Sequence, residues 1–271
     1  MRLKNQNIVI IGGGESGVGA AILAEKMGAN VFVSDAGVLK DAYRSELHSL
    51  NVDYEESGHD LDRILKADLV VKSPGIPNTV EVLQKLRSSG VLIFSEIEFA
   101  AQYTEAKKIC ITGSNGKTTT TMLLYHIFKS AGLEVCFAGN VGKSLARQVA
   151  TSEPEFFIIE LSSFQLDDLK DFRADISILL NITPDHLDRY DNNLSLYADS
   201  KMRITNNQKT SDWFIYNADD PIISEKISKL HLPMQMASFS IKSAQELGGY
   251  SISEQLIINI KDQFTMSIHD L

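Results

Sequence analysis

The chain has 271 residues, a formal net charge of −9, and 44% hydrophobic and 23% charged residues. That length holds one large domain or two smaller ones. The acidic balance speaks against a nucleic-acid partner, which favours a basic stripe, but leaves nucleotides open, because a phosphate site needs only local positive potential.

Cys110 and Cys136 are too few for a disulfide framework, so a cytoplasmic protein is expected. The run Ile8-Val9-Ile10-Ile11, after Arg2 and Lys4, is too short for a signal-peptide core. No stretch reaches the roughly 20 apolar residues of a membrane span, and no membrane partner is expected.

In chain order, Ile8 to Ile11 reads as a strand buried on both faces. A Gly-rich turn follows, then a helical stretch from Val18 to Met27 closed by Gly28. Val31 to Val33, Leu69 to Val71 and Val91 to Phe94 read as further strands, with Val80 to Arg87 helical between the last two. This alternation predicts a parallel sheet. A boundary falls in the polar stretch Gln102 to Ala106, giving domains 1–102 and 103–271. The alternation then restarts with the strand Ile109 to Ile111 and a helix from Thr118 to Ser130, with Gly132 just past its end. Phe156 to Ile159, Ile176 to Leu180 and Trp213 to Tyr216 follow as buried strands. Met234 to Ile241, Leu256 to Ile260 and Phe264 to Ile268 alternate and suggest small antiparallel strands. The fold class is therefore α/β. An N-terminal Rossmann-like domain precedes a central phosphate-loop domain with a parallel sheet and a small antiparallel sheet.

Gly12-x-Gly14-x-x-Gly17 after a strand, with Asp35 about 20 residues on, matches a dinucleotide-binding fingerprint. Alone it fits a tight turn equally well. NAD is its usual ligand, yet nothing downstream supplies dehydrogenase chemistry. Ser73-Pro74-Gly75-Ile76 reads as a simple turn after a strand. Thr112-Gly113-Ser114-Asn115-Gly116-Lys117-Thr118 lies between a buried strand and a helix, as a phosphate-binding loop requires. Lys117 is placed to reach β- and γ-phosphates and Thr118 to ligate Mg²⁺. The strict loop wants glycine at 111, where this chain has Ile111, so the spacing is a variant. Glu160 ends the strand Phe156 to Ile159, where a carboxylate suits Mg²⁺ or a solvated strand end. His186 falls in a loop at the same sheet edge, as a ligand or a structural histidine. Lys201 on its helical stretch reads, on sequence alone, as a surface lysine. Asn217 to Pro221 reads as a turn near an adenine. Two other readings stay open: an oxidoreductase built on Gly12 to Gly17, and a non-catalytic ATP-regulated scaffold.

The segment Thr112 to Thr118 resembles the ATP loop of the Mur ligases, which build the peptide of bacterial cell-wall precursors. Glu160-Leu161-Ser162-Ser163-Phe164-Gln165-Leu166 resembles the D-glutamate-adding branch of that family. Gly139-Asn140-Val141-Gly142, Asn181 to Tyr190 and Asn217-Ala218-Asp219-Asp220 fit it in order.

The resemblance implies an ATP- and Mg²⁺-dependent ligase joining D-glutamate to UDP-N-acetylmuramoyl-L-alanine through an acyl phosphate, as a monomer. It implies ATP contacts from Gly113, Ser114, Asn115, Gly116, Lys117, Thr118 and Thr119. Catalytic roles fall on Lys117, Glu160, His186 and Lys201. Two metal ions would be held by Thr118, Glu160, His186 and a carbamylated Lys201. The UDP-substrate would meet Gly14, Glu15, Ser16, Asp35, Gly75, Asn140 and Ser162. Ala36 and Gly37 offer no polar side chain to the uracil. The family's third, amino-acid-binding domain and a His-Asn segment late in its central domain are absent from these residues, so the 271-residue chain is expected not to turn over.

Overall fold

The computed structural model describes residues 3–260 and 263–267; Arg2, Ile268 and the outer ends of the two expected domains lie outside them. Two compact units form. The first is Met1–Ala106 with Cys136–Glu155 and Asp167–Phe172, and the second is Lys107–Val135, Phe156–Leu166 and Arg173–Leu271. Each unit is therefore assembled from separated stretches of chain.

The first unit begins with β1 (Asn7–Ile11), α1 (Glu15–Lys26), β2 (Asn30–Ser34) and α2 (Asp41–Ser49). It continues with β3 (Asp53–Glu55), α3 (Leu61–Ile64), β4 (Leu69–Lys72), α4 (Glu81–Ser88), β5 (Leu92–Ser95) and α5 (Glu96–Ala100). Its five strands lie in the order β3-β2-β1-β4-β5, and each neighbouring pair is parallel. Chain direction across the sheet reverses at β1, which places a ligand crevice beyond the carboxyl ends of β1 and β4. Val9, Ile11, Phe32, Val70, Leu83 and Leu86 share one core, so the apolar runs are buried as a two-faced parallel sheet requires.

The second unit opens with β6 (Lys107–Thr112) and α6 (Lys117–Ser130). The chain then passes through β7 (Val135–Gly139) and α7 (Leu145–Thr151), whose residues from Cys136 group with the first unit. It returns with β8 (Phe156–Glu160), α8 (Ser163–Asp167), β9 (Ile176–Leu179), α9 (Leu194–Met202), β10 (Trp213–Asn217) and α10 (Pro221–Ser228). Four strands close it: β11 (Gln235–Ser240), β12 (Gly248–Ile252), β13 (Gln255–Asn259) and β14 (Gln263–Ser267). The strands of this unit run in the order β14-β13-β12-β11-β10-β9-β6-β8.

The alternation in Met234 to Ile241 suggests an antiparallel strand. Instead β11 pairs with β10 in parallel, from Trp213 opposite Gln235 to Asn217 opposite Phe239. The physical reason is α10: a helix between two strands crosses the sheet and returns the chain in the same direction. Among the described residues only the pairs β12–β13 and β13–β14 are antiparallel, and they extend the same sheet. Leu179, Tyr190, Tyr197, Met202, Phe214 and Ile223 form the core that backs the loops described next.

Candidate functional site

In the second unit, the loop after β6 is shaped by its glycines. Gly113 has φ +155° and Gly116 φ +83°, conformations that side chains resist. A Cβ on Gly113 would lie 3.0 Å from Leu180 Cβ. Gly116 leads directly into α6, so the first amides of that helix have no carbonyl before them and face outward as an anion site.

The loop is also gripped from β9. Asn181 accepts the Ser114 amide on its carbonyl (2.9 Å) and the Asn115 amide on Oδ1 (2.8 Å), while its Nδ2 donates to the Asn115 carbonyl (3.0 Å). Ser114 Oγ donates to the Thr183 carbonyl and accepts the Thr183 amide, both at 2.9 Å, and lies 3.2 Å from the Tyr197 hydroxyl. Sequence reading did not single out Tyr197. The signal was its spacing, one helical turn before Lys201 on α9.

Four expected residues converge here. Lys117 Nζ folds back onto the carbonyls of Gly113 (2.8 Å) and Ser114 (2.9 Å). Lys201 Nζ reaches the same Gly113 carbonyl at 2.8 Å and lies 4.6 Å from the centroid of the Tyr197 ring. It is no surface lysine: only 1% of it is exposed. Thr118 Oγ1 donates to Glu160 Oε2 at 2.7 Å, and Glu160 is likewise buried. His186 has other neighbours. Its side chain is 58% exposed, its ring lies 5.4 Å from that of Phe164, and Nε2 is 3.7 Å from Asp185. Ser162 caps α8 in a reciprocal box: its Oγ accepts the Gln165 amide, and its own amide donates to Gln165 Oε1 at 3.0 Å.

A buried carboxylate joined to a hydroxyl, beside outward amides, offers the hard oxygen donors that Mg²⁺ takes together with nucleotide phosphates. Among the described residues no three His, Cys, Asp or Glu side chains gather to hold a metal by themselves. An ion here would draw on Thr118, Glu160 and the nucleotide. A second cleft in this unit, 530 Å³, lies among Asn217, Asp219, Pro221, Ile222, Phe239 and Lys242.

The first unit holds a cleft of 840 Å³ at the reversal point of its sheet, and Gly14, Glu15, Ser16, Asp35 and Gly75 all line it. Asp35 ties the Gly-rich turn together: Oδ2 accepts the Gly13 amide (2.6 Å) and Oδ1 the Gly37 amide (2.7 Å). Gly17 lets α1 approach β1, since a Cβ there would stand 1.7 Å from the Gly12 carbonyl oxygen. Glu15 accepts from Arg147 Nε (2.8 Å) and the Ser144 amide (3.1 Å), and Arg147 also pairs with Glu46. Asn140 stands exposed in the turn after β7. Sequence reading missed His59, which lines the cleft, and the buried pair of Lys72 and Asp168 at 2.6 Å.

A strand, a glycine loop and a helix carrying Lys117, met by Lys201 from α9 and by a carboxylate at the neighbouring strand end, have the arrangement of an α/β phosphate-binding loop. The Mur ligase middle domain matches residues 111–269, and the MurD N-terminal domain matches residues 7–82. The chain belongs to the Mur ligase family, in which use of ATP and Mg²⁺ is general. It is 51% identical to the UDP-N-acetylmuramoylalanine--D-glutamate ligase of Bacteroides fragilis over 98% of this chain and 60% of that protein. The ligase of the same name from Porphyromonas gingivalis is also 51% identical, over 98% of this chain and 59% of its own length. The chain thus spans about three fifths of the length of these relatives. Among solved structures, the UDP-N-acetylmuramate:L-alanyl-gamma-D-glutamyl-meso-diaminopimelate ligase of Neisseria meningitides shares the fold. It matches with a TM-score of 0.66 at 20% identity, over 97% of this chain and 84% of that one. Among the described residues no helix is long and apolar enough to cross a membrane.

Proposed function

We propose that this chain is the nucleotide- and UDP-substrate-binding part of an ATP-dependent ligase that joins D-glutamate to UDP-N-acetylmuramoyl-L-alanine. One observation carries the reading: two lysine ammonium groups meet at the Gly113 carbonyl, beside the Thr118–Glu160 pair at the start of α6. The relatives' names supply the amino acid and the sugar nucleotide.

On this reading the amides of residues 116–119 receive the β- and γ-phosphates, and Lys117 swings from the loop carbonyls onto the transferring group. Charge gathered there is offset by fixed donors, which is the main catalytic lever in phosphoryl transfer. Bound Mg²⁺, held by Thr118 and Glu160, would add Lewis-acid neutralisation of the phosphate oxygens. Lys201, with His186, is proposed to complete a second ion site once its side chain is carbamylated. An ammonium about 4 Å from a divalent ion is repelled by several kcal/mol at an effective dielectric of about 20, and the carbamate converts the same stem to an oxygen ligand. The adenine is assigned to the cleft at Asn217 and Phe239, and the UDP group to the cleft at Gly14 and Asp35, with Asn140 toward the muramoyl part. The protein is read as a cytoplasmic monomer.

The test is ADP release by the protein that carries this chain, given UDP-N-acetylmuramoyl-L-alanine and a panel of amino acids. D-Glutamate should drive release and L-glutamate should not. Equal release with every amino acid, or none with any, would sink the reading.

A further inference from the structure

The 840 Å³ cleft of the first unit contains a histidine whose hydrogen-bond inventory can be closed. Ser34 Oγ donates to Glu55 Oε1 at 2.5 Å, and Glu55 also accepts the Asp60 amide at 2.9 and 3.0 Å on its two oxygens. The single hydroxyl proton of Ser34 is thereby committed to the carboxylate, which is acceptor-only. His59 Nδ1 lies 2.6 Å from the same Ser34 oxygen. With its proton committed, that oxygen can only accept, so Nδ1 must carry the hydrogen. In the neutral ring Nε2 is then a bare acceptor.

The ring is held beside the turn that follows β2. The Asp35 amide donates to the Glu55 carbonyl (3.2 Å), the Ser57 amide to the Gly37 carbonyl (2.8 Å), and the Gly58 amide to the Asp35 carbonyl (3.3 Å). Asp35, Ala36 and His59 line one cleft. Ala36 and Gly37 bring no polar side chain to that turn, and both Asp35 oxygens already accept backbone amides. Each Asp35 oxygen keeps a further lone pair, so Asp35 and His59 Nε2 are the two side-chain acceptors that this turn presents to a ring, and His59 is the one whose orientation the Ser34 contact fixes.

We infer that His59 is a specificity-determining residue for the nucleobase. Its Nε2, held as an acceptor by the Ser34–Glu55 relay, takes the imide N–H of a uracil-type ring. The inference rests on the proposed assignment of this cleft to a uridine diphosphate group. A ring whose imide nitrogen is methylated can neither donate nor fit at that distance, and the loss of one such hydrogen bond is worth about tenfold in affinity.

The test titrates the 271-residue chain with UDP and with 3-methyluridine diphosphate by calorimetry. The wild type should prefer UDP by about tenfold, and His59→Ala should bring the two ligands to within about twofold, mainly by weakening UDP. Because His59→Ala could loosen its loop, the ring nitrogens of the wild-type chain are also read by ¹⁵N NMR at neutral pH. The hydrogen should lie on Nδ1, and Ser34→Ala should redistribute it between the two nitrogens. A hydrogen on Nε2, or an unchanged UDP preference in His59→Ala, overturns the role of His59 while leaving the cleft assignment intact. A wild-type chain that binds neither ligand overturns both.

Discussion

The Thr118 hydroxyl donates to the Glu160 carboxylate at 2.7 Å, joining the first turn of α6 to the end of β8. Neither residue has an obvious reason to be there for stability alone: Glu160 is 1% exposed at the end of an apolar strand. A buried carboxylate normally costs folding free energy unless its oxygens are satisfied. On the proposed reading the pair would hold a cation between them and a phosphate. Glu160→Gln and Thr118→Val should each weaken Mg²⁺-ATP binding by on the order of 10- to 100-fold, the range in which groups around a bound metal act. ATP binding in excess chelator should hardly change. The double variant should lose much less than the sum of the singles, because both act through one ion. Mg²⁺-ATP binding at wild-type strength by Glu160→Gln would refute the metal assignment.

Lys201 makes a contrasting case. Its ammonium is buried against the Gly113 carbonyl and the Tyr197 ring. Burying an ammonium carries a desolvation cost that an apolar side chain of similar volume does not. Lys201→Met should therefore keep the melting temperature at or above that of the parent chain, while Mg²⁺-ATP binding falls by about tenfold or more. If stability and nucleotide binding fall together, Lys201 serves the fold and not the site.

Much of this was legible in the sequence because the signals were local. A continuous apolar run gives a two-faced strand, and Gly12, Gly17, Gly113 and Gly116 mark places where backbone must bend or approach closely. What stayed hidden depends on distant partners. Lys201 read as a surface lysine because its burial arises from Gly113, 88 positions away. His59 gave no signal because its meaning lies in Ser34 and Glu55 on other elements. The parallel β11 was misread because alternation reports which face is buried, not strand direction; direction follows from the crossover of α10.

The glycine turn after β1 separates packing from ligand approach. A Cβ on Gly17 would stand 1.7 Å from the Gly12 carbonyl oxygen, whereas one on Gly14 would meet nothing within 4 Å. Gly14 has φ −80°, which any residue adopts. Gly17→Ala should thus destabilise the first unit by about 3 kcal/mol, through forced separation of α1 from β1. Gly14→Ala should leave unfolding by urea within about 0.5 kcal/mol of the parent, yet weaken UDP binding, since its methyl would enter the cleft beside the helix N-terminus. UDP binding undiminished in Gly14→Ala would place the diphosphate elsewhere.

Glu96 offers a prediction about pH. It is fully buried at the start of α5, where Oε1 accepts the Ala146 amide at 2.5 Å. Among the described residues Oε2 has no hydrogen-bond partner. Burial raises its pKa to about 8, the Ala146 amide opposes that, and the nearby Glu15 charge adds to it. The folded chain thus keeps a proton that the unfolded chain releases near its ordinary value of 4.5. Between those two values the native state binds more protons, so stability must fall as pH rises through the window and level off above about 8. The full effect is a few kcal/mol, at about 1.4 kcal/mol for each unit of separation. Glu96→Gln, neutral at every pH, should lack this fall. Urea unfolding of both proteins between about pH 5 and 9 should show the variant gaining on the parent steadily with pH. A constant gap across that range would mean that Glu96 is ionised in the native state and that its unpaired oxygen finds a donor in solution.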